Sequence, residues 1–155
     1  MEEKHLQQNI KKIVAIIYGI PFIWIGIQHF TDPIWFEPIV PDVLGNARFW
    51  VLISGVFEIG IGLAIMIPRF RKIASLCMVA MLVTLYWANL NMWINDIPIG
   101  TGNEEIFVSI QIDGKLTSIG HIFRGFIQAF LIFIALWLGE LKPFPKLQNK
   151  LYQEE

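Results

Sequence analysis

Four long apolar runs dominate the pattern of this 155-residue chain, with polar residues confined mainly to the segments between them. The runs cover residues 13–30, 49–67, 73–94 and 119–138, and none carries more than one Asp, Glu, Lys or Arg. A helix needs about 20 apolar residues to cross a hydrocarbon layer roughly 30 Å thick. Because lipid offers the backbone no hydrogen-bond partner, such segments are expected to be helical. The pattern predicts an all-α membrane protein, a four-transmembrane-helix bundle forming one domain over residues 1–155.

Two of the connections carry patterns of their own. Apolar residues alternate around Asp113-Gly114, which predicts a short β-hairpin in the outer loop between helices 3 and 4. The first connection, "TDPIWFEPIVPDVLGN", is rich in proline and aromatic residues. Two interpretations of it stay open: a lid that lies along the membrane surface, and an ordinary interfacial loop.

Composition supports the membrane class and excludes others. Hydrophobic residues make up 55% of the chain, charged residues 16%, and the mean hydropathy is +0.55. This is more apolar surface than one soluble core of this length can bury. The single cysteine, Cys77, excludes a disulfide within the chain. No basic patch suits nucleic acid, so nucleic-acid partners are not expected.

The distribution of lysine and arginine predicts the orientation. One side would carry nine of them, three each in the N-terminal segment, the connection "PRFRK" and the C-terminal tail, whereas the opposite side would carry Arg48 and Lys115. Cytoplasmic loops are enriched in Lys and Arg, so both termini are predicted to be cytoplasmic. The first run is interpreted as a retained span, because no small-residue cleavage site follows it.

Polar residues within the spans are the candidate functional residues. Glu58 lies in the middle of the second span, where a charge costs at least a few kcal/mol and normally faces the bundle interior. His121, Arg124 and Gln128 are spaced i, i+3, i+7 and share one face of the fourth helix. The spacing predicts one polar cluster in the outer half of the bundle, formed by Glu58, Arg124, His29, Asn89, His121, Gln128 and Tyr86.

Three interpretations of Glu58 are open. It could form a buried helix clamp with Arg124, belong to a polar pocket reached from the outer side or from lipid, or stay protonated because burial disfavours its charge. A metal site at His29, His121 and Glu58 is not expected. These three residues lack local ligand spacing, and the nearby Arg124 would repel a cation.

At these residues the chain resembles a known family. The strings "GIQHF", "WFEPIVP", "SGVFEIGIG", "WANLNMW" and "HIFRGFIQ" are similar to those of the DoxX-like membrane proteins, over about residues 26–137. The resemblance implies a four-helix protein of the bacterial cytoplasmic membrane and gives added weight to His29, Glu58, Asn89 and Arg124. The chain departs from the family in its longer third connection and in Gly125-Phe126, where relatives often carry a proline.

The resemblance implies several functions rather than one. Some DoxX-like proteins are associated with respiratory thiosulfate or quinone oxidation, and others with membrane complexes of oxidative stress. The leading hypothesis is a non-catalytic module that binds a quinone- or lipid-like molecule or supports a membrane redox complex. Glu58 and Arg124 would contact the polar head of the molecule, and His29 and Asn89 would position it.

Two alternatives stay open. One is a quinone-linked oxidoreductase subunit with Glu58 and His29 as a proton relay. The other is a structural or assembly protein held by a Glu58–Arg124 clamp. The expected partners are the lipid bilayer and a membrane or extracytoplasmic protein.

Overall fold

Four long helices make up most of the described part of the chain. The computed structural model describes residues 2–95, 97, 111–112, 115–116 and 118–141. The helices are α1 (Glu2–Thr31), α2 (Ala47–Met66), α3 (Arg71–Ile94) and α4 (Ser118–Leu138). Each contains a segment long and apolar enough to cross a membrane, and in α1 this segment is His5–Thr31. The predicted all-α architecture with four such helices is confirmed.

The predicted hairpin between α3 and α4 is not supported. The described residues of this connection contain two two-residue strands, β1 (Gln111–Ile112) and β2 (Lys115–Leu116). They pair antiparallel, with Gln111 opposite Leu116. Asp113-Gly114 and most of the connection lie outside the described residues. An isolated two-stranded hairpin is only marginally stable, and a pair of two-residue strands is shorter than the hairpin predicted.

Helices α1 and α2 pack against each other through two pairs of glycines. A Cβ atom placed on Gly19 would lie 2.5 Å from the carbonyl oxygen of Gly62, and one on Gly26 would lie 2.8 Å from that of Gly55. No larger residue fits at this separation without moving a backbone, which is how small residues allow membrane helices to approach closely. The same Cβ on Gly26 would lie 3.1 Å from the Cβ of Glu58, so Glu58 is on the face of α2 that meets α1.

The apolar core joins all four helices towards one end of the bundle. This end, where α2 ends and α3 begins, is called the Arg71 end, and the opposite one the His29 end. Ten buried side chains form the core: Ala15, Tyr18, Phe22, Ile61, Ile65, Ala74, Met78, Leu82, Ala135 and Leu138. The hydroxyl of Tyr18 donates to the carbonyl of Leu131 at 2.7 Å and ties α1 to α4.

Large apolar side chains also cover the outside of the helices. Trp24 is 63% exposed and Phe126 is 71% exposed, and exposed Ile, Leu, Val and Phe side chains occur on every helix. A protein surrounded by water rarely exposes apolar surface this extensively, because the hydrophobic effect opposes it. The exposed surface is therefore compatible with a membrane protein whose helices face lipid.

Candidate functional site

His29 is a buried imidazole at the end of α1, only 5% exposed. Its Nδ1 lies 3.0 Å from the hydroxyl oxygen of Ser54 on α2, and that oxygen lies 2.9 Å from the carbonyl oxygen of Val51. The serine hydroxyl has one proton, and when it donates that proton to Val51 it can only accept from the imidazole. Nδ1 then carries the hydrogen, and Nε2 is left as an acceptor.

The first connection folds over His29. Three short 3-10 helices, Pro33–Trp35, Glu37–Ile39 and Asp42–Leu44, form it. The ring of Phe36 lies edge-on to the imidazole of His29, with 4.1 Å between centroids. The side-chain amide of Asn91 on α3 donates to the carbonyl of Ile39 at 3.3 Å, so the connection reaches from α1 to α3 across the His29 end.

Glu58 is one of two buried residues in the described structure with an unpartnered side-chain oxygen, and it is the ionisable one; the other is Ser75. Glu58 is 3% exposed, and its Oε2 has no hydrogen-bond partner among the described residues. The ion pairs between described residues are Lys11–Glu140 and Arg48–Glu37, neither of which involves Glu58. A buried carboxylate without a donor or counter-charge is costly, so Glu58 needs either its own proton or a donor from a bound molecule.

Asn89, Arg124 and Gln128 form a connected hydrogen-bond network between α3 and α4. Arg124 donates from Nη2 to Oδ1 of Asn89, and Asn89 donates from Nδ2 to Oε1 of Gln128 at 2.7 Å. Gln128 in turn donates from Nε2 to the carbonyl of Leu82. We call this set the α3–α4 network. In Asn89 and in Gln128, the amide nitrogen donates a hydrogen bond and the amide oxygen accepts one. A stable buried network requires such satisfied groups.

The other two predicted residues lie outside this network. The ring of His121 stacks on that of Trp93, with 5.4 Å between centroids and 3° between planes. Tyr86 is 38% exposed, and its hydroxyl makes no hydrogen bond to the described residues. That oxygen lies 3.7 Å from where a Cβ on Gly125 would be.

The contacts divide the predicted cluster into separate groups. His29 and Glu58 belong to the α1–α2 interface, whereas Arg124, Asn89 and Gln128 join α3 to α4. The Glu58–Arg124 clamp is not formed, because the guanidinium is directed to Asn89. His29, His121 and Glu58 do not come together as metal ligands, and no group of three His, Cys, Asp or Glu side chains does so in the described residues.

Two residues of the site were missed as participants by the sequence reasoning. Ser54 precedes Glu58 by one helical turn and is not among the predicted residues, yet it holds the imidazole of His29. Asn91 lies two residues after Asn89, so helical spacing places it on a different face of α3 from the predicted cluster. Its amide anchors the first connection, and only the folded position of that connection reveals this contact.

Comparison with known proteins assigns the chain to a family whose function has not been described. Residues 19–139 match the family described as "Domain of unknown function (DUF8561)", and the chain belongs to this family. No curated protein and no solved structure matches the chain. The family match does not link the chain to the DoxX-like proteins, so that resemblance stays a prediction.

Proposed function

We propose that this DUF8561 member is a non-catalytic, multi-pass membrane protein that binds a molecule with an apolar body and a polar head, a quinone or a lipid by class. The site would be built around Glu58 and His29. The proposal rests on one observation, the buried Glu58 oxygen that has no partner among the described residues. Buried polar atoms are normally satisfied, and a conspicuous exception calls for a functional explanation.

The chemistry of the two side chains suits a polar head that can share a proton. A protonated Glu58 would donate to a quinone carbonyl, whereas an ionised one would accept from a hydroxyl or an amine. His29 is held through Nδ1, which leaves Nε2 as an acceptor under the arrangement described above. The surrounding apolar helix surface would hold the hydrophobic body, as in most small-molecule sites.

The α3–α4 network has a different role in this proposal. The described hydrogen bonds of Arg124 and Gln128 are made within the network, so these residues hold α3 against α4. The head of the molecule would contact Glu58 and His29, and the network would fix the helices around them. This revises the expectation that Arg124 contacts the head directly.

The cellular setting is part of the same proposal. The bias of lysine and arginine supports cytoplasmic termini, and the resemblance to DoxX-like proteins supports the bacterial cytoplasmic membrane. The His29 end, with its folded first connection, would then face outward. A membrane or extracytoplasmic partner, such as a redox complex, would meet the protein at that end.

Mass spectrometry of retained lipophilic molecules tests the proposal. The wild type, Glu58→Gln and Asp42→Asn would each be purified in mild detergent and their bound compounds extracted and quantified. Asp42→Asn is the matched control, since it makes the same carboxyl-to-amide change at an exposed residue of the first connection. We expect one compound near stoichiometry in the wild type and control, and at least tenfold less in Glu58→Gln. An empty wild type would refute the proposal and favour a structural protein.

A second candidate is an oxidoreductase subunit in which Glu58 and His29 relay protons. It is favoured by the burial of both titratable groups in the same α1–α2 interface. Turnover with a quinone analogue would separate the two functions. A relay predicts a Glu58→Gln variant with normal quinone occupancy and a lowered kcat, whereas a binding module predicts lost occupancy and no turnover in either protein.

A further inference from the structure

A cleft of about 310 Å³ opens at the Arg71 end, at the opposite end of the bundle from His29. Its walls come from α1, the α2–α3 connection, the start of α3 and the end of α4. The lining residues are Lys11, Pro68, Arg71, Lys72, Leu138, Gly139 and Glu140. Three cationic side chains thus face one carboxylate, and Pro68 and Leu138 add apolar surface. The volume falls at the lower limit of small-molecule sites, which span roughly 300–1,000 Å³.

Arg71 is the fixed part of the cleft. Its Nε donates to the carbonyl of Ile65 at 3.1 Å, and its Nη2 donates to that of Met66 at 3.3 Å. These carbonyls belong to the last turn of α2, where the helix leaves them without internal partners. Arg71 therefore holds the connection in shape, and its charge stays in the cleft wall. Substituting it would disturb the fold, so it is unsuitable as a test residue.

Lys11 and Lys72 converge on the single carboxylate of the cleft. Glu140, two residues after the end of α4, has a left-handed conformation with φ 55°. The N–H of Leu141 donates to the carbonyl of Leu136 at 2.9 Å. Glu140 pairs there with Lys11. The hydrogen bond and charge of Lys11, with a smaller contribution from Lys72, lower the pKa of the Glu140 carboxyl. Both lysines therefore contribute positive potential at one point of the cleft.

We propose that this cleft binds a phosphate-type anion, with Lys72 and Lys11 as its main contacts. The lining carries more positive than negative charge, and compact ammonium groups are suited to phosphate as point charges. The cleft lies where three helices of the bundle start or end, the level at which lipid headgroups meet a membrane protein. A phospholipid headgroup and free phosphate share this chemistry. The site is separate from Glu58 and does not depend on the function proposed above.

The contacts predict effects of opposite sign for two substitutions. Lys72→Gln removes a cation from the wall and should weaken anion binding about fivefold, the effect of roughly one lysine near a membrane surface. Glu140→Gln releases Lys11 from its ion pair and removes the competing carboxylate, so binding should strengthen severalfold. Lys12→Gln is the matched control, because Lys12 is exposed beside Lys11 and is absent from the lining.

Native mass spectrometry in neutral detergent supplies the measurement. Each variant of the full chain would be titrated with phosphatidylglycerol, phosphatidylcholine and inorganic phosphate. We expect Lys72→Gln to bind phosphatidylglycerol more weakly than Lys12→Gln, and Glu140→Gln to bind it more tightly than the wild type. The same order with inorganic phosphate would identify a free anion as a ligand, and an order confined to phosphatidylglycerol would identify the headgroup. The proposal would be overturned if Lys72→Gln and Lys12→Gln bound phosphatidylglycerol equally tightly. It would also be overturned if the wild type bound phosphatidylcholine as tightly as phosphatidylglycerol.

Discussion

Replacement of Asn89 by leucine tests whether the α3–α4 network serves stability rather than ligand binding. The change removes the amide that accepts from Arg124 and donates to Gln128. A hydrogen bond between membrane helices contributes about 0.6 kcal/mol on average, so the two bonds together account for about 1 kcal/mol. The half-buried guanidinium also loses its partner, which adds about 1.5–3 kcal/mol. We expect Asn89→Leu to lower the free energy of unfolding by about 2.5–4 kcal/mol.

Equilibrium unfolding in mixed detergent–lipid micelles, followed by circular dichroism, measures this change. Asn9→Leu is the control, since it makes the same substitution at an exposed residue of α1. Its cost should stay within about 0.5 kcal/mol. In the double variant Asn89→Leu/Arg124→Met no guanidinium is left unpaired. Its cost should therefore be about 1–2 kcal/mol smaller than the sum of the two single costs.

The amount of retained compound distinguishes a role of the α3–α4 network in stability from a role in ligand binding. Asn89→Leu should keep any molecule bound at Glu58 at the level of the wild type, although the protein unfolds more easily. Two results would refute the reasoning. One is strict additivity of the Asn89 and Arg124 substitutions, which would mean that their contact contributes nothing. The other is loss of the bound molecule in Asn89→Leu at full stability, which would place the network in the binding site.

Two further predictions concern the helix packing and the Arg71 end. Gly55→Ala should cost about 1–3 kcal/mol by overpacking, because its Cβ would lie 2.8 Å from the Cβ of His29. Gly60→Ala has nothing within 4 Å and should be neutral or stabilising, and equal unfolding free energies of the two variants would contradict the close packing. The lowered pKa of Glu140 means that its ion pair with Lys11 stabilises the protein above the range where an ordinary glutamate titrates. This contribution is lost as the pH falls through the lowered pKa. The Tm of the wild type should therefore exceed that of Glu140→Gln near neutral pH, and the two values should converge in acid. A Tm difference that does not change with pH would argue against the ion pair.

The sequence was sufficient to predict the four helices, because a lipid bilayer restricts the structures that an apolar segment can adopt. The predicted run 49–67 corresponds to α2 at Ala47–Met66, and the run 119–138 to α4 at Ser118–Leu138. Hydropathy does not predict the part of a helix that extends beyond its apolar run. α1 accordingly begins at Glu2, whereas the first apolar run begins at residue 13. The hairpin predicted around Asp113-Gly114 is supported no further than the pairing of β1 with β2, and its turn lies outside the described residues.

The sequence also identified four of the buried polar residues, but not Arg71 or Ser75, and Tyr86 of the predicted cluster is 38% exposed. Helical spacing places Gln128 on the same face as His121 and Arg124, and both Gln128 and His121 are buried. Glu58 and His29 are buried as well. This succeeds because the face of a single helix follows from its 3.6-residue period alone.

Only the tertiary structure decided which of these residues meet. Periodicity fixes the faces of one helix but leaves its rotation against its neighbours open, and that rotation is set by shape. The glycine pairs Gly19–Gly62 and Gly26–Gly55 bring α2 onto α1 and turn Glu58 towards α1, away from a pairing with Arg124. Arg124 instead finds Asn89 on the antiparallel α3. The sequence by itself therefore determined a four-helix protein with an interior glutamate, and close packing of helix backbones decided that this glutamate has no partner in the described fold.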